Sequence, residues 1–149
     1  MSKGKIGQSV LRLEDDRLLQ GQGRFTANHH FDGECHAIFV RSPYAHADIL
    51  SIDADDARQM PGVRAIYTGA DTADLKPIPT ISPVTGVDGK LNVEPPRRIL
   101  ATDRVRHIGE NVAIVIADSL EQACMACEAV MVDYDERPAV VDETDALAD

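Results

Sequence analysis

Hydrophobic and polar positions change rhythm several times along the chain, and each change predicts an element. Over residues 1–34 the pattern is weak. Val10, Leu11, Leu13, Leu18 and Leu19 are mixed with Arg12, Glu14, Asp15, Asp16 and Arg17, and Gly21-Gln22-Gly23 follows. This stretch reads as an extended arm with one helical turn. From Cys35 the pattern sharpens. Ala37–Val40 reads as a strand, and Pro43 in Arg41-Ser42-Pro43-Tyr44 ends it, since proline disfavours helix at the residue before it and donates nothing to a ladder. Ala47–Ile52 reads as a second strand. Asp53 then stands where an N-cap belongs, Ala54–Met60 suits a short helix, and Pro61-Gly62 stops it. Val63–Thr68 alternates as a third strand.

Residues 76–97 break the rhythm. Pro77, Pro79, Pro83, Pro95 and Pro96 forbid a long helix or a central strand, and Asp88-Gly89 marks a local turn. Asn111–Ala117 is almost continuously apolar, as a strand buried on both faces would be. Ser119-Leu120-Glu121-Gln122 predicts a capping box in which Gln122 reaches back to the Ser119 N–H. Leu120, Ala123, Cys124, Cys127, Val130 and Met131 recur at helical spacing, which places both cysteines on the core face. Val130–Tyr134 reads as another strand, Ala139–Val141 as a short edge, and Asp142–Asp149 as a frayed acidic end. Strand, aspartate, short helix and strand therefore occur twice, at Ile49–Thr68 and Val112–Tyr134. The expected class is α+β, a mixed sheet with short helices packed against it.

Composition narrows the functions. At 149 residues the length suits one domain. Lys and Arg number 15 against 25 Asp and Glu, a net charge of −10, which argues against nucleic acid and anionic membranes as partners. The longest purely apolar run, Val112–Ala117, is far shorter than the ~20 residues of a membrane-crossing helix. No apolar segment follows the basic Met-Ser-Lys-Gly-Lys start, so no signal peptide is read. Three cysteines suggest no disulfide framework and favour a reducing, cytoplasmic setting.

The candidate chemistry is thin. Cys124-Met125-Ala126-Cys127 has redox or metal spacing, but it falls inside a predicted helix instead of at its N-terminus. Two small core residues are the better reading. His29-His30, Cys35-His36, His46 and His107 give no three ligands on one scaffold. Gly21-Gln22-Gly23 lacks the last glycine of a dinucleotide fingerprint, with Thr26 in its place. The runs Glu14-Asp15-Asp16, Asp53/Asp55/Asp56 and Asp133/Asp135/Glu136 read as solvated faces. No residue is assigned a catalytic, cofactor-binding or metal-ligating role.

A resemblance adds what chemistry does not. Phe39-Val40-Arg41-Ser42-Pro43-Tyr44-Ala45-His46-Ala47-Asp48-Ile49 resembles a motif near the start of the molybdenum-binding large subunits of xanthine dehydrogenases, aldehyde oxidases and carbon monoxide dehydrogenases. Upstream, Arg12-Leu13-Glu14-Asp15 and Leu19–Phe25 are similar to that family's opening block. Downstream, Ser51-Ile52-Asp53, Met60-Pro61-Gly62-Val63, Leu100-Ala101, His107–Ala113 and Val132–Asp135 with Pro138-Ala139-Val140 continue the likeness. Two positions depart from the usual pattern. Phe25-Thr26-Ala27-Asn28 stands where the family usually has Tyr-x-x-Asp, and Asn111 replaces a usual proline.

The resemblance implies the α/β-hammerhead module. It implies an arm at 1–34, the hammerhead at 35–142 with a Pro-rich excursion at 76–97, and a frayed tail at 143–149. In the family, the pterin, molybdenum and catalytic glutamate sites lie in the longer region after this module, so no catalytic residue is carried over. The implied function is a non-catalytic structural module of a molybdenum hydroxylase, oxidising an aldehyde, an N-heterocycle or CO. Molybdopterin cofactor, iron–sulfur clusters and FAD would belong to the complete enzyme, not to this chain. The implied partners are the remaining molybdopterin-binding region and the iron–sulfur and FAD subunits. They would meet residues 1–34 and 76–97, through Leu11, Leu13, Leu18 and Leu19 in one and Ile78, Ile81, Val84 and Leu91 in the other. Self-association of the isolated chain is the other way to cover those residues. A standalone small-ligand-binding or regulatory protein reusing the fold is the alternative reading.

Overall fold

The computed structural model describes residues 6–7, 9, 11–79, 82–92 and 95–147. Val10 and Ile81, named above, lie outside them. The chain divides into two compact units, Met1–Glu34 and Cys35–Asp149.

In the first unit a short helix, α1 (Asp15–Leu19), has Asp15 and Asp16 in its first turn, where carboxylates face the positive end of the helix dipole. A 3-10 turn follows at Thr26–Asn28, and Asn28 Oδ1 accepts the Phe25 N–H at 3.0 Å. Neither element has a buried residue.

Among its described residues the second unit holds six strands and two α-helices. They are β1 (His36–Arg41), β2 (Ala47–Asp53), α2 (Asp55–Arg58), β3 (Val63–Thr68), β4 (Arg104–Val105), β5 (Asn111–Ala117), α3 (Leu120–Ala129) and β6 (Met131–Glu136). The α+β class stands, but the strands form two antiparallel sheets in place of one mixed sheet. The first sheet has the order β1-β5-β3 and the second β4-β2-β6. Successive strands alternate between the sheets. Each strand–helix–strand repeat seen in the sequence is therefore a crossover from one sheet to the other.

β5 is central to the first sheet, which explains its unbroken apolar run. Val112, Ala113, Val115 and Ala117 are all fully buried. One core cluster joins Val40, Ile66, Ala113 and Val115 of the first sheet to Ala57 of α2 and Ala126 of α3. A second joins Ala47, Ala101, Val105 and Val112, with Tyr44 and Tyr134 packed against them. Ile52 and Val132 touch both clusters and tie the sheets together.

Several expectations need correction. Cys124 is exposed and Cys127 only half-buried, so the cysteines are not both core residues. The contact stripe of α3 is Ala123 and Ala126, while Leu120 and Met125 point to solvent. Alanine lets the helix lie close to the sheet, and close approach leaves no room for wider side chains on that line. Cys127 sits at the flank, its thiol near the Phe39 carbonyl at 3.8 Å, and burial pushes that thiol's pKa up. The N-cap of α2 is Ala54, not Asp53, although Asp53 Oδ1 accepts the Asp55 N–H at 3.0 Å. The helix itself is four residues long instead of seven. Ser119 caps α3 through the Gln122 N–H, but the Gln122 side chain turns to the Ser119 hydroxyl, not to its N–H. Ala139–Val141 forms no strand, and the third strand of the second sheet is the two-residue β4.

Residues 76–97 contain two isolated bridges, Ile78 with Arg97 and Thr85 with Leu91. The turn at Asp88-Gly89 is present, with Gly89 at φ +76° and its N–H donating to the Gly86 carbonyl at 3.0 Å.

Candidate functional site

The residues carrying the family motif form the crossover from β1 to β2, and their polar groups are spent on the fold. Ser42 is 3% exposed. Its hydroxyl donates to the Tyr44 carbonyl and accepts the Tyr44 N–H, both at 3.0 Å. Its main chain is held too: the Ser42 N–H donates to the Glu110 carbonyl at 2.9 Å, and the Gly109 N–H donates to the Ser42 carbonyl at 2.8 Å. Pro43 sits between these anchors without a donor to satisfy. The rings of Tyr44 and Tyr134 lie 5.1 Å apart, tilted by 55°. Burial raises the pKa of Tyr134, and a hydrogen bond with Ser42 opposes that shift.

His46 donates from Nδ1 to the Pro138 carbonyl at 2.7 Å, while the Arg137 N–H donates to the His46 carbonyl at 2.9 Å. Ala47 is fully buried. Asp48 is gripped by Arg104 and by Arg137, whose Nε is 2.5 Å from Asp48 Oδ2. The Arg104 hydrogen bond, then that of Arg137, holds the Asp48 carboxyl below its usual range. The motif is thus a joint between the sheets.

The other matching blocks behave alike. Gly62, at φ +80°, turns the chain into β3 and its carbonyl accepts the Asp118 N–H at 2.9 Å. Leu100 and Ala101 are buried, and the Ala101 N–H donates to the Asn111 carbonyl at 2.8 Å. Gly109, at φ +82°, allows the turn between β4 and β5. Glu110 closes that turn by accepting the Arg106 N–H at 2.5 Å, with His107 Nδ1 3.5 Å away.

Beside the joint lies a groove of about 490 Å³. Arg41, Arg97, Arg98, Arg106 and His107 line it, with Glu110 as the acidic member. Arg41 donates to the Gly109 carbonyl at 2.9 Å and stacks over Phe39 at 5.7 Å. Arg106 is anchored through the Arg104 carbonyl at 3.0 Å. Arg97 and Arg98 are exposed and make no side-chain hydrogen bond or ion pair among the described residues. Asn111 also lines the groove, and its Oδ1 is buried with no donor. Such an orphan costs about 1–3 kcal/mol. A second depression shares Arg106 and His107 and continues over Ile108, Val140 and Val141, all strongly exposed. Sequence reasoning missed this surface, because its arginines come from three separate segments.

The other candidates are dispersed. His30 pairs with Glu34 at 2.8 Å in the first unit, where Gly21-Gln22-Gly23 also lies. Cys35 precedes β1, and His36 opens it. Asp53, Asp55 and Asp56 surround the start of α2, and Asp133, Asp135 and Glu136 belong to β6. Among the described residues no three His, Cys, Asp or Glu side chains come together as metal ligands. Three thiols also fall short of the four that hold a standard iron–sulfur cluster. Among the described residues, no set of side chains fits a molybdenum or iron–sulfur centre. Among the described residues no helix is long and apolar enough to cross a membrane.

Known proteins share this arrangement. Residues 20–138 match the family described as aldehyde oxidase and xanthine dehydrogenase, a/b hammerhead domain. The nicotine 6-hydroxylase large subunit of Paenarthrobacter nicotinovorans is 36% identical over 146 residues, which is 95% of this chain and 17% of that protein. The xanthine dehydrogenase molybdenum-binding subunit of Escherichia coli O157:H7 is 34% identical over 139 residues, 93% of this chain and 18% of that one. The crystal structure of quinoline 2-oxidoreductase from Pseudomonas putida 86 superposes with a TM-score of 0.80 at 41% identity, covering 99% of this chain and 18% of that one. The chain spans under a fifth of the length of these relatives.

Proposed function

Because the chain belongs to the α/β-hammerhead family of aldehyde oxidases and xanthine dehydrogenases, we propose that it is a non-catalytic structural module of a molybdenum-dependent oxidoreductase. Its task is to position the molybdopterin-binding region and to contact the iron–sulfur subunit. The single observation that carries this reading is the use made of the motif. Ser42 and Asp48 direct their side chains, and His46 its Nδ1, at the chain's own main chain and arginines. A motif spent on holding two sheets together is what a positioning module requires.

We place an arm at 1–34, the hammerhead at 35–142 with the excursion at 76–97, and a tail at 143–149. The chain itself carries no cofactor. Molybdopterin, iron–sulfur clusters and FAD belong to the assembled enzyme, and the odd count of three cysteines supports a cytoplasmic setting.

Co-purification from the native source, with metal and pterin analysis, tests the proposal. The chain is expected to migrate with molybdenum, pterin and iron in one complex, and alone to carry none of them. A chain that migrates by itself, or a purified chain holding stoichiometric molybdenum or a visible chromophore, overturns it.

A further inference from the structure

We propose that the groove lined by Arg41, Arg97, Arg98 and Arg106 is the docking site for a carboxylate-rich segment of a partner polypeptide. This rests on reading the chain as a module of a larger assembly, and it names the surface and the chemistry of one contact. Three observations carry it.

The first is charge. The chain as a whole is at −10, yet this groove gathers four guanidinium groups and His107, with Glu110 the acidic residue among its described lining and Asp103 3.9 Å from Arg106. Glu110 is already engaged by the Arg106 N–H and His107. Such a local reversal of sign selects partners of the opposite charge and steers their approach.

The second is the uneven use of the arginines. Arg41 and Arg106 are anchored through main-chain carbonyls, which fixes their guanidinium planes. Arg97 and Arg98 make no side-chain hydrogen bond or ion pair among the described residues, although Arg98 lies near enough to Asp103 to favour its charged form, and their forks can take carboxylates. The bridge from Ile78 to Arg97 holds the main chain beneath them, with the Ile78 N–H donating to the Arg97 carbonyl at 2.9 Å.

The third is the apolar continuation. The groove runs past Arg106 and His107 into a depression flanked by Ile108, Val140 and Val141, which are 70%, 66% and 92% exposed. An inorganic anion or a phosphate ester has no use for that flank. A peptide alternating carboxylates with aliphatic side chains uses both halves. The arrangement matches the recognition of acidic motifs by arginine clusters.

The test uses the full chain and a fluorescent peptide of about twelve residues made of Asp, Glu, Leu and Ile, beside a matched peptide with Lys in place of the acids. The acidic peptide is expected to bind, the lysine peptide not. The R97E/R98E double variant is expected to weaken the acidic peptide by about tenfold or more, and added salt to weaken the parent complex. Both positions are exposed and make no side-chain hydrogen bond or ion pair among the described residues, so the variant should melt as the parent does. A variant that binds equally well, or a lysine peptide that binds as tightly, overturns the inference. Displacement by inorganic phosphate at concentrations near the peptide's own overturns it in favour of a small-anion site. Dimerisation that is lost when residues 142–149 are deleted overturns it in favour of a second copy's tail. Within the native complex, assembly that survives R97E/R98E refutes the docking role and leaves the structural-module reading intact. A chain that never co-purifies with other subunits refutes that reading, and the peptide titration still decides this one.

Discussion

Two connections in the second unit are built on opposite terms. The one from β1 to β2 is five residues long and saturated with internal bonds. Ser42 alone makes four. The excursion over 76–97 is more than four times longer, and its described residues are held by two isolated bridges, the Asp88-Gly89 turn and a few hydrogen bonds among Val84, Gly86, Lys90 and Asn92. Ile78, Val84 and Leu91 lie more than half exposed along it, and Arg97 is exposed at its end. The short connection is recognisable by its motif and serves the interior. The long one has no motif and presents its side chains outward. In this fold the legible residues stabilise the interior.

The contrast breaks first at the seam between excursion and body. Leu100 is 1% exposed. Leu100→Ala is expected to lower stability by about 2–5 kcal/mol, measured by urea denaturation. A loss below ~0.5 kcal/mol would place the seam outside the core. Next comes Ser42→Ala, which strips the Tyr44 N–H of its acceptor in a buried turn. About 1–3 kcal/mol is expected, again from denaturant midpoints. A neutral result would dissolve the difference between the two connections.

Acid provides a third test. The Asp48 carboxyl titrates below its ordinary value of 3.8 because Arg104 and Arg137 favour its charged form. A carboxylate lowered in the folded state binds fewer protons there than in the unfolded chain. Its contribution is therefore complete above pH 3.8 and fades as pH falls through the lowered value. Asp48→Asn should flatten the decline of melting temperature below that pH. An unchanged profile would deny the carboxylate its role in the joint.

The smallest effect is expected in the excursion. Val84→Ser and Leu91→Ser should change stability by within about 0.5 kcal/mol, since both side chains are already in water. Amide exchange there should be fast, while β5 exchanges slowly. Protection of 76–97 equal to that of β5 would show that the excursion belongs to the core.

The strands were legible where burial is one-sided or complete. β3 alternates, β5 is apolar throughout, and both appear at the residues that the pattern marks. β4 was invisible because two residues carry no period. The cysteine pair was placed on the wrong line of α3 because hydrophobicity ranks Leu and Cys above Ala. Contact with a sheet instead favours whichever side chain permits the closest approach. Two sheets were read as one because alternation along a strand reports which face is buried, not which neighbour it pairs with. The basic groove was illegible for a related reason. Arg41, Arg97, Arg98 and Arg106 become neighbours only after two sheets have formed.

The alternation of strands between sheets also sets the order in which the chain can be assembled. β1 must wait for β5: His36 pairs with Ala117. β2 must wait for β6: Asp53 pairs with Met131. During synthesis, β1–β3 leave the ribosome with most of their hydrogen-bonding edges unmatched, and both central pairings close late and across long stretches of chain. Such topologies fold slowly and are exposed to aggregation while they do. Lengthening the link between β3 and β4 adds little to that burden, because closure entropy grows only with the logarithm of loop length. The kinetic cost was set by the strand order, so the fold was free to carry a long excursion at its edge.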